Sequence, residues 1–341
     1  MSMKKIAVLF AALLVMVGVT PAQAEQPATV VVIDTGFEAS QLDNVILEVC
    51  VVSIRIGCNN NSGFEEGAGA SGSSFPIRSR FAKDWKHGTI MADIVNQVNP
   101  DANLILIRNS KVVRGNVIAG NLKDFEKALE WVQDNAVKHN IVAVSFSRGS
   151  NGYFKKASSN ANIERRIAAF ERVIGIYKAR NMSAATIARF EGILAGLKAQ
   201  LGGVAPCPSN PGIESDIVAL QNLGVATLIA AGNDGSRTNI NEPACLEPAV
   251  AVSTMAKYGN SDGTANASLN TNIGDATDFV ALGSYSTSFG PVAESSSAAT
   301  AALAAKWVKE YAGSYSATYD LLKNSGVATS GFAATAVNVL D

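Results

Sequence analysis

Short apolar segments of five or six residues recur along this chain and alternate with longer helical patterns. They are rich in Val, Ile and Leu and end at turn residues, which is typical of strands buried on both faces of a sheet. Strands alternating with helices predict an α/β fold of three layers, with helices on both faces of a mostly parallel sheet. The predicted strands cover 28–33, 45–56, 103–108, 141–146, 226–230, 249–253 and 278–281. The predicted helices cover 87–95, 121–138, 214–222, 296–311 and 317–324, with a polar loop at 59–75.

The stretch 151–212 interrupts this alternation with two helical stripes of apolar residues. Ser183 lies between the stripes and is a suitable N-cap for the second helix. We therefore predict an inserted helical hairpin, whose two stripes pack against each other. The first stripe is Ile163, Ile167, Phe170, Ile174 and Tyr177, and the second is Ile187, Phe190, Leu194, Leu197 and Leu201.

The N-terminus has the three parts of a secretory signal peptide. Lys4 and Lys5 precede an apolar run from Ile6 to Val19, and Ala22-Gln23-Ala24 is a small-residue cleavage site. We expect residues 1–24 to be removed and 25–341 to form one domain that is secreted or periplasmic. No later stretch is apolar enough to span a membrane, and no cysteine follows the cleavage site, so no membrane anchor is expected.

Charge and composition exclude several classes of protein. The 28 basic and 29 acidic residues nearly balance, which argues against a nucleic-acid partner and against an acidic disordered chain. A hydrophobic content of 48% over this length is enough to build a sizeable core. Composition does not specify an oligomeric state.

Four cysteines in an exported chain predict disulfides rather than a metal site. The chain has only two histidines and no C-x-x-C spacing, which makes zinc a poor fit. Three pairings are open on paper. We favour Cys50 with Cys58, which closes a short loop, and Cys207 with Cys245, which brackets a predicted strand.

The two histidines are the side chains best suited to act as a base near neutral pH. His139 follows a polar helix, where capping or solvation explains it. His87 opens a predicted helix, and Gly88 after it allows a close approach of backbone or substrate.

Three further polar sites follow buried strands or begin a helix. Asp34 ends the first strand, where an unpaired carboxylate is costly, and Asn233 follows the strand at 226–230. Ser295-Ser296-Ser297 precedes a helix of small residues. Taken singly, these are ordinary turn and cap residues. Together they fall at the edge where open α/β sheets build their sites, in the chain order Asp, His, Ser.

At these residues the sequence resembles the subtilisin-like serine proteases, the subtilases. Val32-Ile33-Asp34-Thr35-Gly36 resembles the aspartate motif of the family, and His87-Gly88-Thr89 its histidine motif. The run 294–300 falls where the family has Gly-Thr-Ser-x-Ala-x-Pro, which places the nucleophile at Ser296. Ala230-Ala231-Gly232-Asn233 is similar to the segment that carries the oxyanion-hole asparagine.

The resemblance implies a serine endopeptidase that acts on polypeptides. Ser296 would be the nucleophile with an exposed hydroxyl, His87 the general base and acid, Asp34 the residue that orients His87, and Asn233 an oxyanion donor. The substrate would lie between two segments, Ser147-Arg148-Gly149 and Ala230-Ala231-Gly232. No cofactor is implied. Subtilases often bind structural calcium, but no ligand cluster here specifies a calcium site, and we assign no metal ligand.

The sequence departs from the family pattern in ways that bear on activity. Glu294 and Ser295 replace the glycine and threonine before the nucleophile, and Thr300 replaces the proline after it. No folded pro-domain fits between Ala24 and the first strand. The alternative is therefore a subtilisin-like pseudoprotease that binds polypeptide without cleaving it. A non-peptidase esterase is disfavoured because the Gly-x-Ser-x-Gly elbow is missing.

Overall fold

The computed structural model describes residues 27–53, 57–149, 160–180, 182–202, 207–256 and 263–340. The strands are β1 (Thr29–Asp34), β2 (Val45–Val51), β3 (Phe64–Glu66), β4 (Asn103–Arg108), β5 (Lys111–Val113), β6 (Asn116–Ile118), β7 (Ile141–Phe146), β8 (Ala226–Ala230), β9 (Val250–Met255), β10 (Phe279–Leu282), β11 (Tyr285–Thr287), β12 (Gly290–Val292), β13 (Val327–Ala328) and β14 (Thr335–Val337). The helices are α1 (Ala82–Val98), α2 (Leu122–Asn135), α3 (Asn160–Ala179), α4 (Ala184–Gly202), α5 (Pro211–Asn222), α6 (Ser296–Lys309) and α7 (Tyr315–Ser325).

The main sheet has ten strands in the order β13-β14-β10-β9-β8-β7-β1-β4-β2-β3. All neighbouring pairs between β14 and β2 are parallel, and an antiparallel strand closes each edge. The mostly parallel α/β sheet predicted from the sequence is therefore confirmed. Strand β1 lies between β4 and β7. The chain first forms β2, β3 and β4 on one side of β1 and later forms β7 to β10 on the other side. The carboxyl end of β1 is thus a switch point, where open α/β sheets form crevices.

The central strand shows how the layers form, because its side chains alternate between two cores. Val30 and Val32 pack with helices α1 and α6 on one face. Val31 and Ile33 pack with helices α2 and α5 on the other face. All four side chains are fully buried. A strand that is apolar on both faces can be satisfied only between two helical layers, as the sequence pattern predicted.

Most predicted elements are present with shifted ends, and two predictions were wrong. The helix expected to open at His87 begins at Ala82, so His87 lies in its second turn. The helix extends back to Ala82 because Trp85 is buried there. Its ring packs against Gly36, where a Cβ would clash with it. The stretch 59–75, predicted as a loop, contains β3, which pairs antiparallel with the edge of β2.

Helices α3 and α4 pack against each other, as the two apolar stripes predicted. Phe190 of α4 contacts Phe170 and Tyr177 of α3, with ring centroids 6.0 and 5.1 Å apart. The hydroxyl of Ser183 accepts a hydrogen bond from the Thr186 N–H at the start of α4, which is the expected capping contact. The stripe positions Ile163, Leu197 and Leu201 lie outside the side chains that the structure describes.

Both predicted disulfides are present, Cys50–Cys58 and Cys207–Cys245. The first joins the end of β2 to the loop that leads towards β3. The second joins the segment before α5 to the segment before β9. The predicted signal peptide, 1–24, lies outside the described residues. Within the ranges given above, no helix has the length and apolar character that crossing a membrane requires.

A buried cation holds the disulfide-bonded loop on the sheet. Arg108, at the end of β4, is 1% exposed. Its Nη1 donates hydrogen bonds to the carbonyl oxygens of Gly57 and Ser110 at 3.0 Å each, and its Nε donates to the Ala70 carbonyl at 3.4 Å. Burial lowers the pKa of the Arg108 guanidinium to about 10, so it remains charged at neutral pH. Three backbone carbonyls from three loops therefore depend on one side chain.

We predict that Arg108→Met lowers the free energy of unfolding by about 2–4 kcal/mol, because three carbonyl oxygens lose their buried donor. Urea denaturation with both disulfides intact measures the change. The control is Arg189→Met, which removes an exposed guanidinium from α4 and should change stability by less than about 0.5 kcal/mol. Equal effects of the two substitutions would contradict the prediction.

Candidate active site

A fully buried carboxylate stands at the carboxyl end of the central strand. Asp34 is 0% exposed, and its Oδ1 accepts hydrogen bonds from the N–H and the hydroxyl of Thr35 at 2.6 and 3.1 Å. The Thr35 hydroxyl also lies 2.7 Å from the Asp84 carbonyl in the first turn of α1. Thr35 therefore links the end of β1 to helix α1, which carries the candidate base His87.

Helix α1 brings His87 onto Asp34. The Nδ1 of His87 lies 2.9 Å from both carboxylate oxygens of Asp34. The helix can approach this closely because a glycine follows His87. A Cβ at Gly88 would lie 2.6 Å from the Gly36 carbonyl oxygen and 3.1 Å from the Asp34 Cβ. The close approach that the sequence predicted at Gly88 is thus present, and a side chain at this position would clash with β1 and the turn after it.

The pair shifts the pKa values of both groups towards the charged forms. Burial lowers the pKa of His87, but the charge and hydrogen bond of Asp34 outweigh it and raise the pKa above its ordinary value of 6.5. Burial likewise raises the pKa of the Asp34 carboxyl, but His87 and the Thr35 N–H lower it below 3.8. The shifts hold Asp34 ionised and make His87 a stronger base than a free imidazole.

The N-terminus of α6 places the serine run. Ser295 has an extended backbone at the N-cap position, and Ser296 is the first helical residue. Ser296 is 0% exposed, so the expectation of an exposed hydroxyl was wrong. Its Oγ accepts a hydrogen bond from the Gly232 N–H at 3.2 Å, and its own N–H donates to the Asn233 Oδ1 at 2.8 Å. The loop that follows β8 covers the Ser296 hydroxyl and so buries it.

Glu294 does not point its carboxylate at this site. Its φ of 45° is a left-handed conformation that favours glycine, the residue at this place in the subtilase pattern. Its Oε2 instead accepts hydrogen bonds from the Ser268 hydroxyl at 2.6 Å and the Asn270 amide at 3.4 Å. The charge that the sequence places beside the serine is thus satisfied by a neighbouring loop.

Two adjacent cavities open at this edge of the sheet. A cavity of about 510 Å³ is lined by His87, Arg148 and Ser295, among other residues. A second, of about 240 Å³, is lined by Asn233 and Ser296. Ser147 and Gly149 line both cavities. The structure therefore joins His87 to Asp34 and Ser296 to Asn233, with the segment after β7 between the two pairs.

The two segments expected to flank a substrate differ in what they offer. Ala230 and Gly232 line the second cavity. Between them, the Ala231 N–H donates to the Val252 carbonyl, and the Ala231 carbonyl accepts from the Asn241 N–H. The Gly232 N–H is bonded to Ser296, and its carbonyl accepts from Asn272. This segment can form a wall but has little free backbone for pairing. Ser147-Arg148-Gly149 emerges beyond β7 and lines both cavities.

Sequence reasoning missed Asn272. Its side chain is completely buried and its Oδ1 accepts hydrogen bonds from the N–H groups of Asp234 and Ser236 at 3.0 Å each. Its Nδ2 donates to the Ala231 carbonyl at 3.2 Å. Asn272 thereby clamps the loop that carries Asn233. In the sequence Asn272 follows two other polar residues, Asn270 and Thr271, and nothing there distinguishes a clamping side chain from an ordinary turn residue.

Two other groups lie away from this edge. His139 follows α2, where its carbonyl accepts from the Thr29 hydroxyl. Glu126, Glu130 and Asp216 form an acidic cluster on α2 and α5, the only metal-ligand group of this kind among the described residues. These helices cover the sheet face opposite α1. Neither group contributes to the Asp34–His87 site.

No protein-family model and no curated protein matches this chain, but solved structures do. Proteases from Pseudoalteromonas arctica PAMC 21717 give a TM-score of 0.59 at 14% identity, over 92% of this chain and 88% of theirs. An "S41 Psychrophilic Protease" gives 0.54 at 16% identity, over 89% and 85% of the two chains. A lanthipeptide protease gives 0.51 at 14% identity, over 88% and 80%. At these identities the likeness establishes a shared fold and leaves the chemistry open.

We predict that His87 titrates above pH 6.5 in an NMR titration of its ring proton, because Asp34 stabilises the imidazolium. In Asp34→Asn, its pKa should fall below 6.5, since burial and the nearby Arg148 charge, which both lower it, then remain unopposed by Asp34.

His139 is an internal control in the same spectra. Burial and Lys138 lower its pKa, and neither depends on Asp34. A His87 pKa that is unchanged by Asp34→Asn would show that the carboxylate does not control this ring.

Proposed function

We propose that this chain is an exported serine endopeptidase of the subtilisin-like type, with Asp34, His87 and Ser296 as its triad. The observation that carries the proposal is the buried Asp34 carboxylate bound to the Nδ1 of His87, beside a helix N-terminus that begins at Ser296. The protease fold of the similar structures and the motif order support it. Two disulfides fit the oxidising compartment that the signal peptide predicts.

In this mechanism, His87 removes the proton from the Ser296 hydroxyl as Oγ attacks the scissile carbonyl. Asp34 holds the ring so that Nδ1 carries a proton and Nε2 is the base, and it stabilises the imidazolium that forms. His87 then gives the proton to the leaving amine. Because only neutral His87 can act as the base, activity should fall as pH drops through its raised pKa.

The resting arrangement must open before the oxyanion can bind. The Ser296 N–H now donates to the Asn233 Oδ1, and its Oγ is held by the Gly232 N–H. An incoming carbonyl oxygen would replace Asn233 Oδ1 on the Ser296 N–H, and rotation of the exposed Asn233 amide would turn its NH₂ to the same oxygen. Rotation about the Cα–Cβ bond of Ser296 would free the hydroxyl for His87.

The same contacts favour a second candidate, a polypeptide-binding protein that does not cleave. Ser296 is buried, its N–H is occupied, and it lines a different cavity from His87. If these contacts never open, the fold could still hold an extended chain along Ser147-Arg148-Gly149. The two candidates differ in one respect that can be measured, the reactivity of the serine.

We predict that a fluorophosphonate probe labels Ser296 and that Ser296→Ala lowers peptide turnover by at least about 10³-fold. Its free energy of unfolding should fall by about 1–2 kcal/mol, because the buried Gly232 N–H loses its acceptor. The matched controls are Ser295→Ala and Ser297→Ala, which should keep most of the activity.

Peptide mapping of the labelled protein identifies the serine directly. Labelling at Ser295, which lines the His87 cavity, would move the nucleophile by one residue. An absence of labelling and turnover in a folded protein would favour the binding candidate.

The α3–α4 hairpin is proposed to restrict which polypeptides enter the site, since it follows Ser147-Arg148-Gly149 in the chain. We predict that replacing 155–205 with a short Gly/Ser linker raises the cleavage of folded proteins relative to short peptides. The ratio of the two rates is the measurement, because it is independent of the amount of active enzyme. A trimmed protein with the parent's ratio would leave the hairpin a structural role only.

A further inference from the structure

Arg148 is a half-buried cation at the edge of the cavity that His87 lines. It lies two residues beyond the end of β7 and lines the cavity of about 510 Å³ together with His87. Its Nη1 is buried, and no atom accepts a hydrogen bond from it. Within the described part of the chain, no carboxylate forms an ion pair with Arg148.

The nearby carboxylates do not satisfy this guanidinium. Asp34 is already bound to His87 and Thr35 through its two oxygens. Asp84 is exposed and acts on Arg148 only through its charge. Burial lowers the pKa of Arg148, and Asp34 and Asp84 oppose that effect only in part. The segment that follows, 150–159, contains no Asp or Glu.

A buried N–H donor that makes no hydrogen bond costs free energy, so the Nη1 of Arg148 is a candidate for binding a ligand. The planar guanidinium matches a carboxylate, which can accept two parallel hydrogen bonds from it. The exposed Lys83 lines the same cavity and adds a second positive charge. This side of the cavity is therefore suited to bind an anionic group.

We propose that Arg148 is a specificity-determining residue that binds a carboxylate of the polypeptide substrate, on a residue close to the scissile bond. This inference rests on the proposed function, because it takes the occupant of the cavity to be a polypeptide. The carboxylate belongs either to an Asp or Glu side chain or to the C-terminus of the peptide. Arg148 would therefore select substrates with an acidic group, while the Asp34–His87 pair takes no part in that selection.

Paired peptides that differ only in Glu against Gln test the proposal. One set has blocked termini and carries Glu or Gln at each position on either side of the cleaved bond. A second set has Gln throughout and either a free or an amidated C-terminus. Cleavage is measured as kcat/KM, and binding as the Kd of fluorescent peptides to Ser296→Ala, which reports on Arg148 even in a protein that does not cleave.

The variants are Arg148→Met, which keeps the side-chain length without the charge, and Arg148→Lys, which keeps the charge without the planar fork. Arg189→Met is the matched control, since it removes an exposed guanidinium from α4 and makes the same change in net charge. Thermal unfolding confirms that each variant is folded. The Glu-to-Gln ratio also cancels any effect of Arg148 on the reactivity of His87, because that effect is common to both peptides.

The parent should prefer the carboxylate peptide by about tenfold at one position, or at the free C-terminus, in kcat/KM or in Kd. The preference should fall to about onefold in Arg148→Met, be partly kept in Arg148→Lys and persist in Arg189→Met. Peptide cleavage without a carboxylate preference, or a preference that survives Arg148→Met, would overturn the inference and leave the peptidase proposal standing. A parent that cleaves nothing but binds carboxylate peptides through Arg148 would overturn the peptidase and support the inference. No peptide binding at all would overturn both.

Discussion

The ionised carboxylate of Asp34 has no exposure to solvent. Much of the surrounding structure compensates this buried charge. A buried ion of this kind is costly unless it is paired and hydrogen-bonded. Thr35 supplies two donors and His87 supplies the partner ring. Helix α1 must therefore pack closely on the end of β1, which Gly36 and Gly88 allow because neither has a Cβ. The arrangement that compensates the charge also holds a histidine beside a cleft.

Sheet topology explains why the other polar groups gather at the same place. Strand β1 lies between β4 and β7, and the carboxyl ends of all three reach one edge. Helix α6 is almost entirely buried and is built largely of alanine, so it packs on β7, β8 and β9 and directs its N-terminus to that edge. The positive end of a helix there suits a developing negative charge. Asn272 then fixes the loop after β8, and with it Asn233.

The hydrogen bonds of the resting site connect its structure to its expected dynamics. Ser296 is held through its N–H and its hydroxyl by the loop after β8. Both contacts are replaceable, since a substrate carbonyl offers the acceptor that the Ser296 N–H needs. Substrate binding and opening of the site would then be the same event.

The fold was largely predictable because burial leaves a local trace. The apolar run 28–33 required two helical layers, and the spacing of the cysteines favoured the two observed pairings. The start of α1 was placed late because Trp85 is buried against Gly36, which lies outside the helix. The sequence by itself determined the alternation of strands and helices and the order of the motif residues. Only the tertiary structure decided that Glu294 turns away, that Ser296 is covered and that the buried Nη1 of Arg148 has no acceptor. Those outcomes depend on distances between segments remote in the chain, which arise when many side chains pack at once and leave no periodic signal in any one segment.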